Sequence, residues 1–526
     1  MKKVLIIWVL LLSISSQAQD ILWEKTIGGK HADYLFDAIP TPDYGFILVG
    51  SSLSTQSGDV EKKTNGDFDY FISKVDEKGN TEWVQTLGGD GVDMLHSINR
   101  TFDGGYIVAG TSRSGLSGDK TSASMGQDDL WLLKMDMKGN IQWQKTLGGL
   151  ADEKVAVVLP SQKGGYIIAG SSASDTYIPV LIEGETTDSN LITKTDKNRG
   201  NLDYWVLKLD ASGTLLWQKT IGGKYVDQLR TVVELEDQSI VVGGISNSPM
   251  GADKEAEAKG ANDWWVVKMD ENGVSQWQKS FGGDGDDQLF AMVTTQDGTL
   301  MLGGYFSELK GKTTTSDFVV LNLNTTGNMI WQKSFDNSTK DILTDIVQNR
   351  DGTFLLSGYS AKGNEVKAED GEEDFVAIKL DQEGNETWRQ TVGGKQKEVL
   401  TRTIETRDGG YVLMGSSMPI NSAGNNDANF YIVKLLDKEK PVKDKLLIEA
   451  LPNPTVEYTA IVIGYEYEKG TCTVVDLGGR VLQSFAIETN RTIPIQLKSY
   501  PDGVYIIHIK TDKGDDGIKV LKTSSR

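Results

Sequence analysis

The chain has 526 residues, too many for one hydrophobic core, so two or more domains are expected. Its 74 acidic and 54 basic residues leave a formal net charge of −20, which argues against nucleic acid or an anionic membrane as partner and suits solubility outside the cell. Cys472 is the only cysteine, so no intramolecular disulfide forms and stability must come from packing; the thiol reads as a buried, inert one.

At the N-terminus, Met1-Lys2-Lys3 is followed by an apolar run from Val4 to Leu12 and by Ser16-Gln17-Ala18. This is the order of a secretory signal peptide, residues 1–18, with cleavage expected after Ala18. The run is too short to span a bilayer, and no later segment approaches the roughly 20 apolar residues a spanning helix needs. No cysteine lies near the cleavage site, so a lipoprotein anchor is not expected.

From there the chain repeats. ILWEKTIGG around Trp23 returns at Trp83, Trp143, Trp217, Trp277, Trp331 and Trp388, with spacings of 60, 60, 74, 60, 54 and 57 residues. Each unit holds four short apolar runs. In the second, MLHSINRT leads through Asp103-Gly104-Gly105 to YIVAGTS, then DDLWLLKMD turns at Lys138-Gly139-Asn140 into IQWQKTLGG. Asp-Gly and Gly-Asn pairs suit tight hairpin turns, and the runs are rich in Val, Ile, Tyr, Trp and Thr, which favours strands. Four antiparallel strands repeated seven times predict an all-β fold, a seven-bladed β-propeller over residues 19–437. The phasing carries this: the Trp23 strand stands alone before any complete unit, and the last unit ends at Asn429-Phe430-Tyr431-Ile432-Val433-Lys434 with no tryptophan strand. A ring closed by the N-terminal strand needs that offset, and closure removes an exposed sheet edge.

Four columns recur beside the strands. Each Trp is expected to wedge between neighbouring blades, burying about 150–250 Å² for an upper estimate of about 4–6 kcal/mol. Asp69, Asp129, Asp203, Asp263, Asp317 and Asp374, with Asn429 last, open the third strand. Five residues on come Lys74, Lys134, Lys208, Lys268, Lys379 and Lys434, with Asn322 in the fifth unit. The odd offset puts the two columns on opposite faces, so they cap turns or pair across blades rather than with each other. Four residues after the Gly-Gly position stand Asp33, Asp93, Glu153, Asp227, Asp287, Asp341 and Glu398. Facing one another around a central opening, they would repel at roughly 0.4 kcal/mol per pair in water and about 1.7 kcal/mol at an effective dielectric near 20. They therefore either brace their own loops, line a wet ring, or hold a cation such as Ca²⁺, which makes all seven candidate metal ligands. No other cofactor is expected. The third unit is longer, its loop running from Ser174 through Arg199, either as a binding insertion or as a tolerated one.

After Asp437 the composition shifts. Residues 438–445 form a charged, proline-bearing linker, and residues 446–526 read as short strands at the spacing of a small Ig-like β-sandwich. Pro452-Asn453-Pro454, the run from Val474 through Asp476 and Gly479 to Arg480, Gly503-Val504-Tyr505, and Lys519 and Lys522 in the last strand resemble the type A C-terminal sorting domain of the Bacteroidota type IX secretion system. The resemblance covers residues 446 to about 522. It implies passage through the periplasm and across the outer membrane, with the type IX machinery as partner, and a secreted or cell-surface cargo. The repeat itself resembles tryptophan and Gly-Gly repeats in Bacteroidota surface proteins, some labelled endoglucanase-like.

No catalytic motif is identified. His31, His96 and His508 are the only histidines, and no Gly-x-Ser-x-Gly elbow, HExxH helix or Walker loop occurs. The expectation is a non-enzymatic, surface-exposed interaction propeller that binds a glycan or protein through one face. The alternatives are a secreted glycoside hydrolase, which would need only two carboxylates, and a structural or adhesion component of the cell envelope.

Overall fold

The computed structural model describes residues 19–177, 188–310, 313–361, 373–419, 427–438 and 448–524, and every regular element among them is a β-strand. The expected signal peptide, the middle of the third-unit insertion and all but the first residue of the linker lie outside the described residues.

The second unit shows how the repeat folds. Asp93–Arg100, Tyr106–Ser112, Asp129–Met135 and Ile141–Gly148 pair antiparallel in chain order. The turn into the fourth strand is locked because Asp136 Oδ1 accepts from the N–H groups of Lys138 and Asn140 at 2.8 and 2.9 Å, while Gly139 takes φ +85°. The third strand is buried along its whole length, including Trp131 at 0% exposure, which is why it reads as a continuous apolar run rather than an alternating one. The same four-strand order recurs in residues 33–87, 153–221, 227–281, 288–335 and 340–392, the last two joined by one parallel bridge between Ser316 and Lys340. The third unit adds a short strand, Leu191–Thr193, alongside the fourth strand of the second.

The last unit supplies Lys397–Glu405, Tyr411–Met418 and Asn429–Leu436, and its fourth place is filled from the other end of the chain. Asp20–Ile27 runs antiparallel to Asn429–Leu436, with Ile21 opposite Leu435 and Thr26 opposite Tyr431. The first strands touch one another in sequence through all seven units, and Lys397–Glu405 touches Asp33–Pro40.

The apolar cores lie between units rather than within them. Leu48 and Phe71 of the first unit pack with Met414 and Phe430 of the last and with Ile27 of the N-terminal strand. Tyr70 and Ile72 pack with Val108 and Trp131 of the second, and such a cluster recurs at each following junction. A four-stranded sheet has two apolar faces in its middle strands and can bury them only against neighbours.

The repeated tryptophans reach the next unit as expected but not as deeply. Six are half-buried, and only Trp388 is enclosed. Each of those six lies on the turn glycine of the following unit: a Cβ on Gly79 would stand 2.9 Å from Trp23 Cζ3, and one on Gly327 2.9 Å from Trp277 Cζ3. The N–H groups of Trp217 and Trp277 donate to the carbonyls of Glu271 and Thr325 in those turns, both at 3.1 Å. They act as rim clasps, and their burial stabilises less than a full wedge would.

Residues 448–522 form a three-stranded and a four-stranded sheet that share one core, with Ile461 and Ile493 from the first and Cys472, Val474, Ile507 and Val520 from the second. They contact turns of the repeat region. Tyr44 Oη and Arg407 donate to Glu449 at 2.9 and 3.1 Å, and the Arg100 guanidinium sits 5.4 Å from the Tyr458 ring centroid.

Candidate functional site

The seven carboxylates four residues after the Gly-Gly position are all buried, 0–4% exposed, at the start of the first strands. They accept hydrogen bonds from their own units: Gly29 N–H to Asp33 at 2.6 Å, Gly89 N–H and Ser114 Oγ to Asp93 at 2.7 Å each, Ser172 Oγ to Glu153 at 2.6 Å, and Gly223 N–H to Asp227 at 2.6 Å. Gly283 N–H bonds Asp287 at 2.6 Å, Asn337 N–H bonds Asp341 at 2.7 Å, and Ser417 Oγ reaches Glu398 at 3.3 Å. They do not face one another across a central opening. Asp93, Glu153 and Asp287 stand beside Asp69, Asp129 and Asp263, which open the third strands of the preceding units, whereas Asp33 stands beside Asn429.

The first glycine of the Gly-Gly pair shows how tight this is. A Cβ on Gly148 would stand 2.2 Å from Asp129 Oδ1 and 2.6 Å from Glu153 Oε2; one on Gly282 would stand 2.4 Å from Asp263 Oδ1 and 2.6 Å from Asp287 Oδ2. The second glycine, at Gly29, Gly89, Gly149 and Gly223, faces a serine: a Cβ on Gly89 would stand 2.5 Å from Ser114 Cβ. The third-strand aspartates hold their loops in turn, Asp69 through Asn65 N–H and Asp263 through Lys259 N–H, both at 2.7 Å.

One oxygen on each of Asp69, Asp93, Asp129, Asp203, Asp227 and Asp263 is buried without a hydrogen-bond partner. Burial, reinforced by the neighbouring Asp93 charge, pushes Asp69 up to about 7 despite the Asn65 N–H. Burial likewise pushes Glu153 up to about 7 against its serine bonds, and Asp203 up to about 6. Two such oxygens across a sheet junction are a place for a proton or a small cation. In the sixth unit Asp336-Asn337 replaces Gly-Gly, and Asp336 joins Asp317 and Asp341 in a group whose ligand oxygens lie within 4.8 Å of one another, a donor set suited to Ca²⁺.

The lysine column caps turns. Lys74 Nζ pairs with Asp43 at 3.0 Å and Glu82 at 2.8 Å, Lys134 with Asp103 at 2.8 Å, and Lys434 with Asp408 at 2.7 Å; Lys379 instead reaches Asp437 at 3.0 Å.

A further column was not singled out from the sequence. Every first strand carries a β-bulge three residues after its carboxylate, and the residue left out of register is Phe36, His96, Ala156, Arg230, Phe290, Thr344 or Thr401. A bulge re-aims one side chain, and these seven converge, with Tyr359, on a cavity of about 320 Å³. No Asp or Glu lines it. The Phe36 and His96 rings stand 4.8 Å apart, and burial pushes His96 down to about 4, so it is neutral at pH 7. The next position along holds Asp37, Asp345 and Arg402, whose guanidinium lies 3.3 Å from Asp37 and 3.2 Å from Asp345. A larger cavity, about 840 Å³, opens between the repeat turns and the C-terminal sheets, lined by Tyr44, Arg350, Arg407 and Glu449 among others.

The C-terminal motif residues serve local structure. Asn453 donates from Nδ2 to Lys519 O at 2.8 Å and accepts from Leu521 N–H at 2.9 Å, tying the proline loop to the last strand. Asp476 accepts from Gly478 N–H and Arg480 N–H at 3.0 Å around Gly479, which takes φ +80°. Tyr505 Oη donates to Pro501 O, and Lys522 pairs with Asp502 at 3.0 Å.

Residues 449–522 match the family model of the secretion system C-terminal sorting domain. That domain marks the chain for export to the cell surface or beyond through the secretion machinery, and among the described residues no helix is long and apolar enough to cross a membrane. The regulatory protein FlaEY of Caulobacter vibrioides (strain ATCC 19089 / CIP 103742 / CB 15) is 26% identical over 189 residues, covering 32% of this chain and 20% of that protein; the chain spans only a fifth of that relative. Among solved structures, puromycin hydrolase aligns at 10% identity over 93% of this chain and 61% of its own, with a TM-score of 0.42. A lignostilbene dioxygenase from Pseudomonas brassicacearum aligns at 8% identity over 79% and 93%, with a TM-score of 0.39. Likenesses this distant carry no argument about activity.

Proposed function

We propose that residues 19–437 form a seven-bladed β-propeller, closed by the N-terminal strand, that works at the cell surface or in the medium as an interaction module. It binds a glycan or protein through one face, while residues 446–526 form an Ig-like sandwich that serves as the export tag. The pairing of Asp20–Ile27 with Asn429–Leu436 and the closed circuit of contacts among first strands support the ring. The observation that carries binding over hydrolysis is the chemistry of the central cavity: a glycoside hydrolase needs two carboxylates about 5–10 Å apart at the scissile bond, and the cavity is lined by aromatic, aliphatic and hydroxyl side chains with one amide, Gln228, and one arginine, Arg230. Buried carboxylate pairs at the junctions serve the scaffold, with a Ca²⁺ at the Asp317, Asp336 and Asp341 group as an addition to it. The test is a glycan array and a surface-protein pull-down with the purified chain, run beside a polysaccharide hydrolysis assay. Retention of a defined ligand without turnover is expected; turnover of a polysaccharide would overturn the reading.

A further inference from the structure

The two arginines near the centre are in opposite situations. Arg402 has two carboxylates, Asp37 and Asp345, within 3.3 Å. Arg230, on the first strand of the fourth unit, has no carboxylate partner among the described residues, and its Nε is buried without an acceptor. Its guanidinium sits 5.6 Å from the centroid of Phe290, so an aromatic face covers one side of the plane and leaves its N–H edge for an acceptor. In a chain of net charge −20, a lone cation held in a pocket free of Asp and Glu is a costly arrangement unless an anion completes it.

The surroundings define the rest of that anion. Phe36, Phe290 and Tyr359 offer ring surface, Thr344 and Gln228 offer a few neutral polar groups, and His96 adds no competing charge at neutral pH. The volume of about 320 Å³ falls at the small end of the roughly 300–1,000 Å³ typical of small-molecule sites. Arg230 and His96 are only partly buried, so solvent reaches the cavity.

We propose that the central cavity is a binding site for a small aromatic carboxylate, whose carboxylate is held by the Arg230 N–H edge and whose ring lies among Phe36, Phe290 and Tyr359. A planar guanidinium matches a carboxylate with two parallel hydrogen bonds, and the ring adds offset or edge contacts with the aromatic wall. The site is separate from any ligand bound on an outer face.

Benzoate is the probe, with benzamide as its uncharged analogue, acetate as the same charge without a ring, and inorganic phosphate as a different anion. Calorimetry and thermal shift on the full chain should show benzoate binding, with benzamide and acetate at least about tenfold weaker. Arg230→Gln should lose benzoate by about tenfold or more, and Phe290→Leu should narrow the gap between benzoate and acetate. Equal binding of benzoate and benzamide, no benzoate binding, or phosphate bound more tightly than benzoate would each overturn the proposal. So would wild-type benzoate affinity in Arg230→Gln. If that variant does not fold, the benzoate and benzamide comparison on the unaltered protein decides the matter.

Discussion

Replacing Asp69 by asparagine should stabilise the protein most at pH 8 and by well under half as much at pH 5. Asp69 is fully buried at the junction with Asp93, and burial lifts it from the ordinary 3.8 to about 7. A raised carboxyl holds its proton more tightly folded than unfolded, so its contribution is fully present below about pH 4 and is lost as pH rises to about 7. At about 1.4 kcal/mol per pH unit the gap corresponds to about 4 kcal/mol, and relaxation of the pair and entry of water reduce this to about 2 kcal/mol. Asparagine keeps the acceptor for Asn65 N–H, carries no charge, and can donate to the orphaned Asp93 oxygen. Calorimetric melting between pH 5 and 8 should show the wild type losing several degrees as pH rises and Asp69→Asn losing less. Glu153 and Asp203, lifted to about 7 and about 6, act in the same direction over the same window. Asp43, Asp103 and Asp408 are held low, mostly by their lysines against the opposing effect of burial; they contribute stability above the ordinary carboxyl range that is lost only as pH falls below it. A wild-type melting temperature that climbs from pH 5 to 8, or an Asp69→Asn variant equally destabilised at both, would refute the reasoning.

If a cation joins the Asp317, Asp336 and Asp341 group, EDTA should lower the melting temperature at pH 8, Ca²⁺ should restore it, and Asp336→Asn should abolish the response; a melt indifferent to both reagents removes the cation. Gly148→Ala should lower the unfolding free energy measured by urea titration by about 1–3 kcal/mol, because its Cβ would meet Asp129 and Glu153 oxygens at 2.2 and 2.6 Å; a change of only a few tenths would contradict the packing. Deleting residues 20–27 should expose the edge of Asn429–Leu436 and give aggregated or non-cooperatively melting protein by size-exclusion chromatography and calorimetry, whereas an intact cooperative melt would show the pairing to be dispensable. Cys472, buried and pushed up to about 12, should resist iodoacetamide at pH 8 until the protein is denatured, as read by mass spectrometry.

The pairing of the two chain ends was legible because the unit boundaries are out of phase with the termini, and phase survives in sequence whatever the packing. Strand alternation left the lysine column either capping turns or pairing across units; Lys74, Lys134 and Lys434 do the first and Lys379 the second. The seven carboxylates were legible as a column but not in their place: whether Asp93 points across an opening or into a junction depends on a Gly-Gly connection whose second purpose, room between two carboxylates, appears only when sheets pack. Phe36, His96 and Arg230 were missed for a different reason. A bulge breaks the two-residue alternation on which facing is read, and a column running Phe, His, Ala, Arg, Phe, Thr, Thr shares no side-chain type. Trp131 and Trp205, both fully buried in cores between units, fall outside the repeated tryptophan column, whose members clasp the rim.

The partner of Asp20–Ile27 lies some 409 residues further along the chain, from Asp20 to Asn429. At roughly 5–20 residues per second, a ribosome needs about 20–80 s to deliver it. Throughout that interval the opening segment has no mate, and the first and last units lack their shared core. The inner junctions can pack one after another as their units emerge, so the joining of the two chain ends is the last step that connectivity permits.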